Sequence, residues 1–185
     1  MQKTLDYYNR NAREFIEGTA GVDFSRIQNH FLSLLPKEAL ILDFGCGSGR
    51  DTKYFLEKGF RVEAADGSEE LCRLASAYTG IPVKQMLFQE LDETEKYDGI
   101  WACASILHLR RDELPKVLMK ICRALKRGGI LYVSFKYGDF EGERNGRYFT
   151  DLTEETAEKL LESAPELKIK ERWVTGDVRA GRGAE

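Results

Sequence analysis

The sequence predicts an α/β fold with a doubly wound, mostly parallel sheet flanked by helices, and three observations lead to this prediction. Strand-like and helix-like patterns alternate from residue 24 to about residue 136. An apolar strand, Leu40–Phe44, runs directly into the turn 45–49, which has glycine at alternate positions. Acidic residues, Asp43 and Asp66, stand near the ends of the first two strands. Strands separated by helices imply right-handed crossovers and a parallel sheet covered on both faces.

The length and composition of the chain indicate a single globular domain. Its 185 residues are enough to bury about 70% of the surface of the unfolded chain. We expect residues 1–35 to form a helical cap or lid, residues 36–175 the α/β core and residues 176–185 a tail. Apolar residues make up 42% of the chain, and the net charge is −3 with Lys and Arg scattered. These features predict neither nucleic acid nor a membrane as partner.

The four cysteines, Cys46, Cys72, Cys103 and Cys122, are widely spaced, and the chain contains only two histidines. Because zinc sites need more closely spaced ligands, we expect free thiols in a reducing compartment and no metal site. No run approaches the ~18 apolar residues that a membrane span needs, and the N-terminus lacks the apolar core of a signal peptide. The sequence therefore predicts a cytoplasmic protein.

Hydrophobic periodicity and turn residues predict the elements in order. Helices are expected at Leu5–Glu17, Phe24–Leu35, Asp51–Lys58, Ser68–Tyr78 and Glu113–Leu125. Strands are expected at Leu40–Phe44, Phe60–Ala65, Pro82–Leu87, Tyr97–Cys103, Ile130–Phe135 and Leu167–Thr175. Ser68 is expected to cap its helix, because acids follow it in the first turn, where the helix dipole favours them. Residues 137–152 are expected to form a long loop, and such loops are often functional.

The glycine turn and its two acids point to a ligand site at the carboxyl ends of the strands, where parallel sheets bind ligands. Glycines without a Cβ let the backbone approach a ligand closely. Asp43 precedes the turn, which suits an ammonium or sulfonium group better than an anionic pyrophosphate. Asp66 is placed to accept two hydrogen bonds from ribose hydroxyls, although it also fits a cap of the next helix.

With these residues in place, the chain resembles the class I S-adenosylmethionine-dependent methyltransferases. The resemblance covers nearly the whole chain and continues in Tyr97–Trp101 and Leu125–Gly129, where Arg127 stands in place of the usual proline. Three further stretches look like the small bacterial members near the tellurite-resistance methyltransferases, namely Tyr7-Tyr8, Arg50–Thr52 and Trp101–His108. The family fold ends with two antiparallel strands, and Leu167–Thr175 fits the first of them.

Nothing after Thr175 resembles the last strand of that family. We therefore expect the final antiparallel strand to be missing and the sequence to stop short of the natural C-terminus. If the chain ends at residue 185, the fifth strand needs another neighbour, such as the edge of a second subunit. The expected state is a monomer or a weak homodimer.

The resemblance implies S-adenosylmethionine as cofactor, S-adenosylhomocysteine as product and no metal. The glycines of the turn would pass under the methionine part, Asp43 would lie near its ammonium group, and Asp66 would hold the ribose. The implied cofactor-binding positions are Asp43, Gly45, Cys46, Gly47, Gly49, Asp66, Gly67, Phe88, Gln89, Ala104 and Ser105. Phe88 and Gln89 would flank the adenine, and Ala104 and Ser105 would sit beside the sulfonium. Many relatives carry an acid where this chain has Leu87, so adenine contacts are expected from a backbone amide and the ring of Phe88 or Leu91.

Methyl transfer needs in-line positioning and, for an O–H or N–H acceptor, removal of a proton. The catalytic candidates are His108, on the rim after the fourth strand, and Tyr8, on a helix expected to cover the site. A histidine that only contacts backbone and a helix that only packs are the alternatives. The substrate candidates are Lys136, Tyr137, Arg144 and Tyr148, which together with Arg147 suit an anionic or carboxylated acceptor or form a solvated loop. The sequence predicts methyl transfer to a small-molecule acceptor, with a cofactor-binding module and an NAD-dependent oxidoreductase as alternatives.

Overall fold

A computed structural model describes residues 2–176, which form a five-stranded parallel sheet and a separate two-stranded hairpin. The strands of the sheet are β1 (Leu40–Phe44), β2 (Arg61–Asp66), β3 (Val83–Gln85), β4 (Tyr97–Ala102) and β5 (Leu125–Val133). Their spatial order is β3-β2-β1-β4-β5, and all neighbouring pairs are parallel. The order reverses direction at β1, so the carboxyl ends of β1 and β4 flank the crevice in which ligands of such sheets bind.

Helices cover both faces of the sheet, as the sequence predicts. They are α1 (Gln2–Glu17), α2 (Ser25–Ser33), α3 (Arg50–Glu57), α4 (Glu69–Thr79), α5 (Leu114–Ala124) and α6 (Glu154–Leu161). No helix within residues 2–176 combines the length and the apolar character needed to cross a membrane.

The central strands are apolar on both faces, because successive side chains of a strand point to opposite sides. On one face, Leu42 and Ile100 pack in a core with Ile121 of α5. On the other face, Ile41 and Trp101 pack with side chains of α2 and α3. Both cores hold the sheet rigidly below its carboxyl edge, and rigid elements place functional groups more accurately than loops do.

Between residues 40 and 135, the predicted helices and strands are confirmed with small shifts in their ends. The largest shift is at β5, which begins at Leu125 and not at Ile130. Leu125 pairs with Tyr97, and the register then changes before Ile130 pairs with Gly99. Gly128 and Gly129 lie between these two pairings, so they belong to an irregular part of β5 and not to a turn before this strand.

The prediction of a long loop over residues 137–152 is wrong. Strands β6 (Glu141–Arg144) and β7 (Arg147–Thr150) form an antiparallel hairpin there. Asn145 and Gly146 make its two-residue turn with φ of +50° and +78°. Positive φ at both central positions is the hairpin-compatible turn geometry for which Asn-Gly is the preferred pair. The hairpin stands apart from the main sheet and packs against α1.

The prediction of a strand at Leu167–Thr175 is also wrong. This segment is irregular, because it makes no strand pairing within the described residues, and most of its residues are exposed. Helix α6, which the sequence analysis did not anticipate, precedes it and starts at the cap Thr153. Within residues 2–176, β5 is an edge strand of the sheet. The predicted tail beyond residue 176 and the missing last strand lie outside the described residues.

Candidate functional site

The glycine turn after β1 is the most tightly packed part of the carboxyl edge. Gly45, Gly47 and Gly49 have φ of +87°, +54° and +78°, a region that side chains with a Cβ rarely adopt. A Cβ added to Gly45 would lie 2.4 Å from the Cβ of Ser105. The sequence-predicted need for glycine here therefore has two physical causes, backbone conformation and contact with the loop after β4.

A cleft of about 1920 Å³ extends from this turn past the loop after β4 and then along the edge strand β5, where residues of the segment 163–176 also line it. Most of the predicted site residues line it: Tyr8, Gly45, Cys46, Gly47, Asp66, Gly67, Phe88, Ala104, Ser105, His108, Lys136, Tyr137 and Arg144. Four predicted residues are not among its lining residues, namely Asp43, Gly49, Gln89 and Tyr148. Predicted residues from seven separate segments of the chain therefore line one cavity.

Asp66 lies across the glycine turn at the end of β2. The backbone N–H of Gly47 donates to its Oδ2 atom and that of Ser68 to its Oδ1 atom, both at 2.9 Å. Burial raises the pKa of the Asp66 carboxyl, and these backbone donors oppose that rise. The helix cap is Ser68, whose Oγ accepts from the N–H of Leu71 at 3.2 Å. Asp66 therefore holds the turn and leaves the capping of α4 to its neighbour.

Asp43 is buried beneath the turn and does not face the cleft. Its Oδ2 atom accepts a hydrogen bond from Thr52 Oγ1 at 2.6 Å. Burial, and then the nearby carboxylate of Asp51, raise the pKa of the Asp43 carboxyl. Both effects disfavour the charged form, because they remove water and add a like charge.

Asp51, which the sequence analysis did not select, lines the cleft beside the turn. Its carboxylate accepts hydrogen bonds from Gln28 Nε2 at 2.6 Å and from Trp101 Nε1 at 2.9 Å. The guanidinium of Arg50 binds both of its oxygens, at 2.8 and 2.9 Å. This carboxylate joins α2, α3 and β4 beneath the cleft. Its sequence signal is an Arg-Asp pair directly after the last glycine of the turn.

The loop after β4 forms the opposite wall. Ala104 has a φ of +47°, a strained value for a residue with a Cβ, and such strain concentrates at functional sites. Its N–H donates to Ser134 Oγ at 2.8 Å. Ser105 Oγ donates to the carbonyl of Phe44 at 2.6 Å. The Ser105 hydroxyl is thus used to fix the loop on β1.

The two residues predicted to flank adenine point in different directions. Phe88 lines the cleft and meets the ring of Phe44 edge-on, with 4.9 Å between centroids. Gln89 donates from Nε2 to Glu113 at 3.1 Å and is not among the residues that line the cleft. Leu91, the other apolar candidate, is buried in the core. Of the three residues predicted to contact adenine, Phe88 is therefore the one that lines the cleft, and Met86 and Leu87 line it beside Phe88.

Helix α1 covers the turn and brings Tyr8 against His108. Leu5 lies over Gly67 and Phe15 over Gly47, so closely that a Cβ on either glycine would be 2.8 or 3.0 Å away. Asn9 Oδ1 accepts from Ser68 Oγ at 2.6 Å and ties the helix to α4. Only the tyrosines of this helix were predicted from sequence, whereas Phe15 contacts the glycine turn, and Leu5 and Asn9 contact the residues after β2.

His108 is buried and hydrogen-bonded through both ring nitrogens. Nδ1 lies 2.6 Å from the carbonyl oxygen of Tyr148, and Nε2 lies 2.9 Å from Tyr8 Oη. A carbonyl only accepts, so Nδ1 carries the proton and Nε2 accepts from the Tyr8 hydroxyl. Burial lowers the pKa of His108 to about 4, and Arg147 adds to this effect. The pKa of His108 therefore lies well below the neutral range in which a free histidine titrates.

The four predicted substrate residues are not equivalent. Tyr137 is 58% exposed and donates to Glu154 at 2.8 Å, and Tyr148 Oη donates to Glu141 at 2.9 Å. Arg144 is paired with the buried carboxylate of Asp151. Lys136 lies over the ring of Phe149. Arg147, which the sequence analysis named beside these four, also lines the cleft and lies 3.4 Å from Tyr8 Oη.

Comparisons with known proteins relate the sequence and the fold of this chain to methyltransferases. Residues 41–129, slightly under half of the chain, match the family described as Methyltransferase domain. The Bacillus subtilis (strain 168) protein YqeM, which is named as a methyltransferase, is 31% identical over an alignment of 117 residues. The alignment covers 57% of this chain. The chain spans 47% of the length of that relative.

Two solved structures extend the likeness to most of the chain. The Burkholderia thailandensis 1,6-didemethyltoxoflavin-N1-methyltransferase, solved with 1,6-didemethyltoxoflavin and S-adenosylhomocysteine, is 28% identical with a TM-score of 0.67. The match covers 86% of this chain and 73% of that one. A TehB-like S-adenosylmethionine-dependent methyltransferase from Corynebacterium glutamicum is 24% identical with a TM-score of 0.63, over 87% and 80% of the two chains. The chain therefore has the fold of the class I S-adenosylmethionine-dependent methyltransferases, and its residues 41–129 match the family described as Methyltransferase domain.

Proposed function

We propose that this protein transfers the methyl group of S-adenosylmethionine to a small-molecule acceptor by in-line displacement and releases S-adenosylhomocysteine. The observation that carries the proposal is the glycine turn with Asp66 lying across it, at the carboxyl ends of adjacent strands. A Cβ at Gly45 would fill the space beside Ser105, so at this position the turn presents backbone alone to the cleft. Such a surface fits the close approach of a cofactor chain.

The donor groups along the cleft fit the parts of that cofactor. Asp66 offers a carboxylate to the two ribose hydroxyls, and Phe88 offers an apolar ring to the adenine. Asp43 is buried behind the turn and does not line the cleft, so it would act on the ammonium group across the turn, where a nearby cation would favour its ionised form. Ala104 and Ser105 would stand beside the sulfonium. Cys46 serves as a small residue of the turn, since burial raises the pKa of its thiol and leaves it a poor nucleophile.

The cofactor supplies the electrophilic methyl group, and the protein positions the acceptor and handles its proton. Tyr8 Oη donates its own proton to His108 Nε2 and accepts from Arg147 Nη1 at 3.4 Å, so one lone pair remains for a hydrogen bond from an acceptor O–H or N–H. A proton taken up by Tyr8 Oη is matched by transfer of the tyrosine proton to His108 Nε2. The pKa of His108, about 4, restricts this relay to acidic acceptors, and an acceptor that is already ionised needs no relay.

Two other functions compete with this one. A module that binds S-adenosylhomocysteine without catalysis would use the same cleft, and an NAD-dependent oxidoreductase would share the strand–glycine–helix unit. The buried acid before the glycines argues against a pyrophosphate at the turn. The fold likeness to a TehB-like protein at 24% identity supports the finer resemblance to the tellurite-resistance group only at the level of fold.

Isothermal titration calorimetry with S-adenosylhomocysteine and with NADH tests the proposal. We expect saturable binding of S-adenosylhomocysteine and none of NADH. A second assay follows S-adenosylhomocysteine release from S-adenosylmethionine in the presence of pooled small-molecule acceptors. Release that depends on an acceptor supports the transferase, whereas binding without release from any pool supports the binding module. Binding of NADH alone would overturn the proposal.

A further inference from the structure

We propose that the methyl acceptor is a small planar anion, and that Arg147 and Lys136 bind its charged group. This inference deepens the proposed function and depends on it for the position of the acceptor. Three cationic side chains surround one ring at the acceptor end of the cleft. The distances to the centroid of Phe149 are 5.6 Å from Lys136 Nζ, 5.1 Å from Arg144 Cζ and 5.2 Å from Arg147 Cζ.

The charges of this group are not balanced within the described part of the chain. Arg144 is paired with Asp151, whose side chain is buried. Among residues 2–176, neither Lys136 nor Arg147 has a carboxylate within ion-pair distance. Three positive charges therefore face one negative charge around a buried ring. These three side chains are half-buried, so their like charges repel one another through a partly dry site, and an anion bound between them offsets that repulsion.

Arg147 also has unused hydrogen-bonding capacity. Its Nε atom is buried and has no hydrogen-bond partner within residues 2–176. Its Nη1 atom makes a long contact of 3.4 Å with Tyr8 Oη. A guanidinium presents its N–H groups as a planar fork that matches the two oxygens of a carboxylate. Arg147 is therefore suited to a ligand with a delocalised negative charge.

The walls around Arg147 favour a flat ligand. The guanidinium lies 4.6 Å from the ring centroid of Tyr7 and 5.7 Å from that of Tyr8. The ring of Phe149 also lies 5.2 Å from the guanidinium, and it meets that of His108 with 4.8 Å between centroids. Aromatic side chains stack on planar groups and tolerate variation in their substituents. The chemical class that fits is an aromatic or heteroaromatic acid.

The neutral state of His108 agrees with this class of acceptor. Tyr8, the carbonyl of Tyr148, Phe149 and Arg147 face its ring, and none of these groups is anionic. No carboxylate of the described residues contacts His108 to stabilise an imidazolium. An acceptor that is already ionised needs no strong base, and its negative charge compensates the unpaired positive charge of Arg147.

Binding of matched neutral and anionic probes tests the inference. Calorimetry on protein saturated with S-adenosylhomocysteine compares benzoate with benzamide, 4-hydroxybenzoate with 4-hydroxybenzamide, and nicotinate with nicotinamide. We expect the acid of at least one pair to bind about tenfold or more tightly than its amide, the size of effect given by hydrogen bonds to a charged group. Arg147→Met should abolish that preference, Lys136→Met should reduce it, and Arg147→Lys should retain part of it.

The control is Arg73→Met, which removes an exposed arginine that is paired with Glu70 on α4, and it should keep the full preference. Variants are compared only where S-adenosylhomocysteine still binds, and Lys136→Met carries the test if Arg147→Met does not fold. Equal binding of acid and amide in all pairs, acid binding weaker than about 10 mM, or a preference that survives both methionine variants would overturn the inference. Wild-type protein that fails to bind S-adenosylhomocysteine would instead overturn the proposed function.

Discussion

The hydroxyl of Tyr8 lies 2.9 Å from Nε2 of His108, a residue that follows it by 100 positions. This contact joins α1 to the segment after β4 and places both groups in the wall of the cleft. On the other side of the His108 ring, Nδ1 donates to the carbonyl of Tyr148, and this hydrogen bond fixes the tautomer of His108. Helix α1, the segment after β4 and hairpin β6–β7 therefore meet at His108.

A double-mutant cycle tests this contact. Tyr8→Phe leaves Nε2 of His108 buried without a donor, so we expect the free energy of unfolding to fall by about 1–3 kcal/mol. In a His108→Gln background the same change should cost less, with a coupling energy of about 0.5–3 kcal/mol. Urea unfolding of the four proteins measures these values.

The matched control for this cycle is Tyr54→Phe. Tyr54 donates to Asn29 at a partly exposed site, where we expect a smaller loss. Additive effects of Tyr8→Phe and His108→Gln would show that the two side chains do not interact in solution.

The buried histidine also predicts a pH dependence of stability. The folded protein keeps His108 neutral down to its pKa of about 4, whereas the unfolded chain takes up a proton near 6.5. Between these values the unfolded state binds more protons, so this contribution to stability is full above pH 6.5 and is lost as the pH falls toward 4. The pKa difference corresponds to about 3 kcal/mol.

Urea unfolding between pH 4.5 and 7.5 measures this effect. The stability of the wild type minus that of His108→Gln should increase with pH over this range. Parallel curves would show that His108 is accessible to protons in the folded state.

The glycine turn predicts a steric effect that can be separated from backbone strain. Gly45 and Gly59 have nearly the same φ, +87° and +85°, but a Cβ would meet Ser105 only at Gly45. Gly59→Ala should cost about 1–2 kcal/mol, the penalty of the left-handed conformation. Gly45→Ala should cost clearly more, because the loop after β4 must also move. Equal losses by thermal or urea unfolding would contradict the close packing of the turn on Ser105.

The α/β core was predictable because its signals are local and repeat in sequence. Leu40–Phe44 is apolar throughout, and Ser68 is followed by acids in the first turn of α4. Each of these features belongs to a single helix or strand, and the tertiary packing favours the same structure as the local sequence. The cleft followed from the same signals, since carboxyl ends of parallel strands meet at one edge.

The hairpin and the C-terminal segment were harder for identifiable reasons. The turn at Asn145-Gly146 was a recognisable hairpin signal, but the flanking glycines made the whole stretch resemble a loop. Leu167–Thr175 alternates like a strand, yet it makes no strand pairing within the described residues. Arg147 and Asp51 acquire their roles from partners distant in sequence, Tyr8 and Trp101. Such roles depend on tertiary contacts that periodicity does not report.

The central claim is that the cleft binds the ribosyl sulfonium cofactor through Asp66. Calorimetric titration with S-adenosylhomocysteine of the wild type, Asp66→Ala and the exposed control Asp92→Ala tests it most directly. We predict that Asp66→Ala weakens binding by about 1–3 kcal/mol, roughly 5- to 150-fold, through loss of two hydrogen bonds to a charged group, while Asp92→Ala binds like the wild type. Unchanged affinity in a folded Asp66→Ala protein would contradict the account.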